Sequence, residues 1–137
     1  MSQSLIRQGF EGIIETWAAA QVPSIPVAWE NVAFVAPVGR YVRVFLLPGE
    51  VNRLFMEGSG REYRGVIQVS LVMNIGAGAG GAEALLSSLD AAFSSSGNFT
   101  SGGLRIWLLT PFRASTPQLE ADRWVLPVSA SYAAVTT

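Results

Sequence analysis

The sequence predicts an α+β fold, a single mixed or antiparallel sheet of about four to five strands with two helices packed on one face, in the order α-β-β-β-α-β-β. Three observations predict it. Apolar residues recur at helical spacing in two separate stretches. Around them lie strand-length runs rich in β-branched, aromatic and long aliphatic residues. Those runs alternate so that one side of each is apolar throughout. The 137 residues match the size of one domain, and no repeat, low-complexity tract or linker divides them, so residues 1–137 read as a single domain.

Ser4–Ala20 carries Leu5, Ile6, Phe10, Ile13, Ile14 and Trp17 on one helical face. Gly9 and Gly12 weaken this helix without breaking its pattern, and Pro23 and Pro26 stop it. Val27–Val35 reads as a first strand, with Trp29 as its heaviest residue, and Ala36–Gly39 as a turn. Arg40–Leu47 is a strong second strand. Pro48–Arg61 is polar and glycine-containing and reads as a loop, although its centre, Val51–Met56, is apolar enough to pack. Glu62–Ile75 is a strong third strand.

Gly76–Gly81 connects that strand to a second amphipathic helix, in which Ala82, Leu85, Leu86, Leu89, Ala92 and Phe93 recur at helical spacing. Gly97 fits the position just past its end. Leu104–Leu109 is the fourth strand, Thr110–Ala121 with its two prolines a loop, and Asp122–Val135 the last strand. Pro127 removes a ladder donor and predicts an edge position or a bulge there.

Strand parity separates two faces. Val42, Val44, Leu46, Ile67, Val69, Leu71, Met73, Leu104, Ile106, Leu108, Trp124, Leu126 and Val128 form a continuous apolar face for the helices to cover, with Leu86 and Phe93 buried beside Phe10 and Trp17. The opposite face should be wet in a monomer. It carries Tyr41, Arg43 and Phe45, then Val66, Gln68, Ser70 and Val72, then Arg105, Trp107 and Leu109. Aromatics, aliphatics and arginine together have the composition of an interface core.

Overall composition points the same way. Half of the residues are hydrophobic and only 14% are charged, which leaves apolar surface for a partner. The chain has no cysteine, histidine or lysine; all nine basic residues are arginine. A Ser-His-Asp or Cys-His nucleophile system, zinc or copper ligation by histidine or thiolate, a P-loop lysine and a Schiff-base lysine are therefore excluded. A net charge of −1 and a pI near 5.3 are the reverse of a nucleic-acid binder's balance. The first twenty residues are interrupted by Arg7, Glu11 and Glu15 and do not read as a signal peptide. The longest apolar run, Val66–Ile75, is broken by Gln68, Ser70 and Asn74 and is too short to span a membrane.

The motifs that remain are weak. Gly76, Gly78 and Gly81 fit the dinucleotide spacing, but no carboxylate falls in Gly97–Gly103, where a ribose partner belongs. They read as a connector. Glu11 with Glu15, and Glu120 with Asp122, are the available carboxylate pairs; no base or oxyanion donor accompanies either, so both read as structural. Arg40, Arg53, Arg61 and Arg64 gather around the second and third strands, opposed by Glu50, Glu57 and Glu62. That near-neutral balance suits intersubunit pairing or a solvated loop better than phosphate binding. The expected subunit interface is therefore Tyr41, Arg43, Phe45, Arg53, Arg61, Arg64 and Trp107, with no catalytic residue, metal ligand or cofactor.

Ile25–Phe34 (IPVAWENVAF) carries a Pro-x-x-Trp-Glu-Asn pattern at Pro26, Trp29, Glu30 and Asn31, closing on Phe34. A strand ending in Leu-Pro follows at Tyr41–Pro48, then Arg61 or Arg64 with Gly65, Gln68 and Val69. A small-residue connector and a helix ending in Phe occupy Gly76–Phe93, and Pro127, Val128 and Tyr132 mark the last strand. In this order the chain resembles, along nearly its whole length, the tail terminator proteins of long-tailed bacteriophages such as lambda. The resemblance implies a structural virion protein with no catalytic residues. It implies a ring of identical subunits, commonly a hexamer, that caps the finished tail tube, stops its polymerisation and offers a head-joining surface. Implied partners are the tail tube protein and a head-completion or connector protein, with DNA passing through unbound and no membrane involved. The implied location is the head–tail junction of the virion, with host cytoplasm during assembly. A head–tail connector protein of similar fold is the alternative in the same class; a small-ligand or nucleotide-binding domain using Gly76–Gly81 is the alternative from another.

Overall fold

The first apolar stripe forms helix α1 (Ser2–Ala20), where Ile6, Phe10, Ile14 and Trp17 recur every three or four residues and are all buried. The computed structural model describes residues 2–21, 24–30, 32–35, 39–53, 60–74, 80–120 and 123–136, save the side chains of residues 2, 3, 53, 80, 95 and 96. After α1 come strands β1 (Val27–Ala28), β2 (Tyr41–Arg53) and β3 (Arg61–Asn74), then helix α2 (Gly80–Ser96). Strands β4 (Phe99–Ser101), β5 (Leu104–Leu108), β6 (Arg113–Ala114), β7 (Gln118–Glu120) and β8 (Arg123–Thr136) complete the chain. The expected turn at Ala36–Gly39, except Gly39, Ile75 at the end of the expected third strand, and residues 76–79 of the glycine connector lie outside the described residues.

The sheet runs in the order β1-β2-β3-β8-β5-β4, and β6 and β7 pair with β8 beside β5. Among the described residues only β1–β2 is parallel; the other pairs are antiparallel. The centre is the long β3–β8 ladder, from Glu62 opposite Val135 to Asn74 opposite Arg123. The α+β class holds, but among the described residues the sheet has eight strands where about four to five were expected. The additional ones, β4, β6 and β7, are two or three residues long. Strand β4 folds onto β5 through Gly102 and Gly103, at φ +55° and +90°, a two-residue turn that needs positive φ twice.

Three other expectations need correction. The first strand spans Val27–Ala28 rather than Val27–Val35, because Glu30 turns its side chain onto the edge of β2: its Oε1 accepts the Leu46 N–H at 2.6 Å. The expected loop at Pro48–Arg61 begins as strand, since β2 continues to Arg53 past a register shift between Pro48 and Val51; residues 54–59 lie outside the described residues. Pro127 is neither on an edge strand nor at a bulge of the β3–β8 ladder, whose register runs unbroken through Ser70 opposite Pro127. It lies in central β8, where the flank is interrupted between β6 and β7 and Ser115 N–H donates to its carbonyl at 2.8 Å.

The inner face is the one that alternation marks. Val42, Val44, Leu46, Ile67, Val69, Leu71, Leu104, Ile106, Leu126 and Val128 are buried in one cluster with the apolar stripes of α1 and α2. Both helices therefore cover the same face. On α2 the buried positions are Ala82, Leu85, Leu89 and Phe93; Leu86, expected in the core, is half-buried at its margin. Phe10 holds the centre, with Phe93, Phe99 and Tyr132 ring centroids 5.8, 5.4 and 5.3 Å away.

Candidate assembly surface

The strand registers fix what shares the outer face. Tyr41, Val72 and Val125 form one row, and Arg43, Ser70 and Pro127 the next. Phe45, Gln68, Ser129 and Arg113 follow, then Leu47, Val66 and Ser131. Arg64, Ala133 and Trp107, and then Glu62, Val135 and Arg105, close the far end. Leu109 adjoins the Leu47 row through its N–H to Ser131 O at 2.7 Å. Of the expected interface residues, Tyr41, Arg43 and Phe45 thus lie together at one end. Arg64 and Trp107 lie on the same face, about 13 Å further along the strands from the Phe45 row.

Arg61 falls outside this group. One residue from Glu62 in the ladder, it has the opposite parity; its N–H donates to Thr136 Oγ1 at 3.1 Å at the sheet's end. Its backbone partner is Arg53, whose side chain is outside the described residues.

The outer face is not uniformly wet, contrary to the expectation for a monomer. Ser70, Val72, Val125 and Ala133 are buried on it. Arg43 Nη2 meets Glu120 Oε2 at 3.0 Å, and since β3 and β8 lie between β2 and β7, this pair must run across the middle of the face. Such a half-exposed pair contributes at most about 1 kcal/mol, so its effect is positional. Among the described residues, Arg43 Nε is left buried without an acceptor. At the corner the Phe34 and Tyr41 rings stand 5.1 Å apart, and the Arg123 guanidinium lies 5.7 Å from the Tyr41 centroid while donating to Gly39 O. Sequence reasoning missed Phe34, Glu120 and Arg123 as parts of this corner. Glu120 was visible only as half of a carboxylate pair, and nothing local links it to Arg43.

At the far end Arg64 is exposed and pairs with Glu62 at 3.1 Å. The Arg64 guanidinium holds the Glu62 carboxyl below its ordinary range, and Glu62 in turn raises Arg64. Between the two ends, Leu47 and Leu109 are about half exposed, at 49% and 44%. Along β2 and β3, Phe45, Leu47 and Val66 therefore stand between Arg43 and Arg64, with polar Gln68 and Ser129 among them.

The edge of β2 is closed by the Pro-x-x-Trp-Glu pattern. Pro26 O accepts the Val42 N–H at 3.1 Å, Trp29 packs against the core, and Glu30 joins Leu46 N–H to Arg7 Nη1 of α1 at 2.9 Å. Burial pushes the Glu30 carboxyl up, but the Leu46 N–H and the Arg7 charge together outweigh it and hold it below the ordinary value.

Nothing among the described residues resembles a reaction centre. No cluster of three potential metal ligands is present among them. A groove of about 710 Å³ between α1 and α2 is lined by no charged side chain among the described residues. A cleft of about 350 Å³ beside α2 holds a single carboxylate, Asp90, which accepts the Phe112 N–H at 3.0 Å.

A family model described as phage tail terminator protein matches residues 5–132. The chain belongs to the phage tail terminator family. It is a family of phage structural proteins, not of enzymes. No curated protein sequence gives a significant match. One solved protein structure, 38% identical over 98% of this terminator and 96% of that chain, superposes with a TM-score of 0.82. A chain in the virion of a native gene transfer agent particle shares the fold at 19% identity, covering 96% of this chain and 97% of that one, with a TM-score of 0.64.

Proposed function

We propose that this terminator forms a ring, a hexamer, which caps the finished tail tube, stops its polymerisation and presents the surface that the head-completion or connector protein joins. It resides at the head–tail junction of the virion after assembling in host cytoplasm, and DNA passes through the ring without specific contacts. The observation that carries this reading is the family match across residues 5–132. The mechanism is steric. Ring closure uses a heterologous interface, in which two different patches of one subunit meet. The capped end then offers the next tube subunit no complementary surface.

The outer sheet face supplies one such patch. It combines aromatic, aliphatic and arginine side chains over a firmly paired three-strand centre. Phe45→Glu tests it. Phe45 points away from the helix-covered core, so circular dichroism should show an unchanged fold. Sedimentation, alone and with tail tubes, should show lost assembly, because burying an unpaired carboxylate in an interface costs about 3–5 kcal/mol. Rings and normal tail lengths with the folded variant would place the interface elsewhere.

A further inference from the structure

Charge and shape divide between the two layers of the subunit. Among the described residues, the sheet's outer side carries five arginines, Arg43, Arg64, Arg105, Arg113 and Arg123. Three glutamates oppose them, Glu62 and Glu120 in the ladder and Glu50, whose charge reaches Arg64, for a formal balance of +2. The two helices carry Glu11, Glu15, Glu83 and Asp90 against Arg7 alone, a formal balance of −3.

The shapes divide in the same way. The 710 Å³ groove on the helix layer is lined by small side chains, among them Gly12, Thr16, Ala20 and Ala91, over a floor where Trp17 Nε1 donates to Ser88 Oγ at 2.9 Å. The acids lie on its outer flanks. Glu15 lines the cleft shared by α1, Val27 and Trp29, and Asp90 lines the cleft shared by α2, Trp107 and Leu108. On the sheet, Phe45, Leu47 and Val66 stand between Arg43 and Arg64 along the strands, with Gln68, Ser129 and Arg113 beside Phe45.

We infer that the outer sheet face of one copy seats on the α1–α2 layer of the next. Two sheet faces brought together would set arginine against arginine, and two helix layers acid against acid. Only the head-to-tail contact sets the net-positive sheet face against the net-negative helix layer. A contact of that kind repeats from copy to copy and is what a ring needs. This inference rests on the ring reading above and adds to it which surfaces meet.

The chain has no cysteine, so introduced thiols react only with each other. The test places Ser129→Cys on the sheet face and Thr16→Cys beside the groove, in the full-length protein, with and without tail tubes, under mild oxidation. Head-to-tail docking predicts a ladder of disulfide-linked oligomers from the double variant and monomers from each single variant. Dimers from Ser129→Cys alone, or from Thr16→Cys alone, would overturn it. A second arm uses Glu15→Arg, which should raise the dissociation constant for assembly about fivefold at low salt, the scale of one exposed ion pair. Rings that form without any cross-link and with unchanged Glu15→Arg dissociation also overturn the docking, while leaving the ring intact. No assembly by sedimentation in any arm, tubes included, overturns the ring reading and the docking with it.

Discussion

Replacing Gly65 with alanine tests the register that separates the two sheet faces. Gly65 sits opposite Pro48 in β2 and Tyr132 in β8. An added Cβ would lie 2.5 Å from Leu47 O, 2.6 Å from Tyr132 Oη and 2.8 Å from Tyr132 Cε2. Neither neighbour is free to yield. Leu47 O belongs to a paired strand, and Tyr132 is fully buried against Phe10. Overpacking of this kind costs about 1–3 kcal/mol, and contact with main chain puts Gly65→Ala near the upper end. For a chain of this length that is a fall in Tm of about 10 °C. A companion variant isolates the tyrosine. The Tyr132 hydroxyl is buried with no partner among the described residues, and burial pushes its pKa up. Tyr132→Phe removes an unsatisfied donor and should be neutral or stabilising by up to about 1 kcal/mol. The double variant should stay destabilised, since the contact with Leu47 O remains. Thermal unfolding followed by circular dichroism measures all three. A loss below about 0.5 kcal/mol for Gly65→Ala would refute the close β2–β3–β8 packing.

Leu89 is fully buried at the heart of the α2 face, so Leu89→Ala should cost about 2–5 kcal/mol by denaturant titration, and the half-buried Leu86 less. Glu30 has a folded-state pKa below its unfolded one. Its contribution is therefore present above the unfolded value of about 4.3 and is lost as pH falls through the folded value. Glu30→Gln should flatten the acid-side fall of Tm; identical pH profiles in the two proteins would remove Glu30 from that role.

The long elements could be read from the sequence because their patterns are long. Six apolar positions at helical spacing define α1, and β2, β3 and β8 each run thirteen or fourteen residues, enough for alternation to fix both faces. Strands of two or three residues cannot show a period, so β6 and β7 disappear into a proline-rich stretch. The Gly102–Gly103 pair suits the β4–β5 turn, but the three-residue strand before it is too short to be expected from its pattern. Val27–Val35 has strand composition, yet Glu30 makes by side chain the bond a longer strand would make by backbone. At the candidate surface, parity placed Tyr41, Arg43 and Phe45 correctly because it depends only on neighbours in sequence. The Arg43–Glu120 pair joins residues 77 apart and depends on strand order, which no local pattern encodes. Arg61 was grouped with Arg64 by proximity, although three residues along a strand point to opposite faces.

The most direct test of the terminator reading is electron microscopy of tail tubes growing from purified tube protein, with and without this chain. The expected result is a ring at one end of each tube and growth that stops there, with tubes lengthening without limit in its absence. Tubes that elongate equally in both cases, with no ring at their ends, would contradict it.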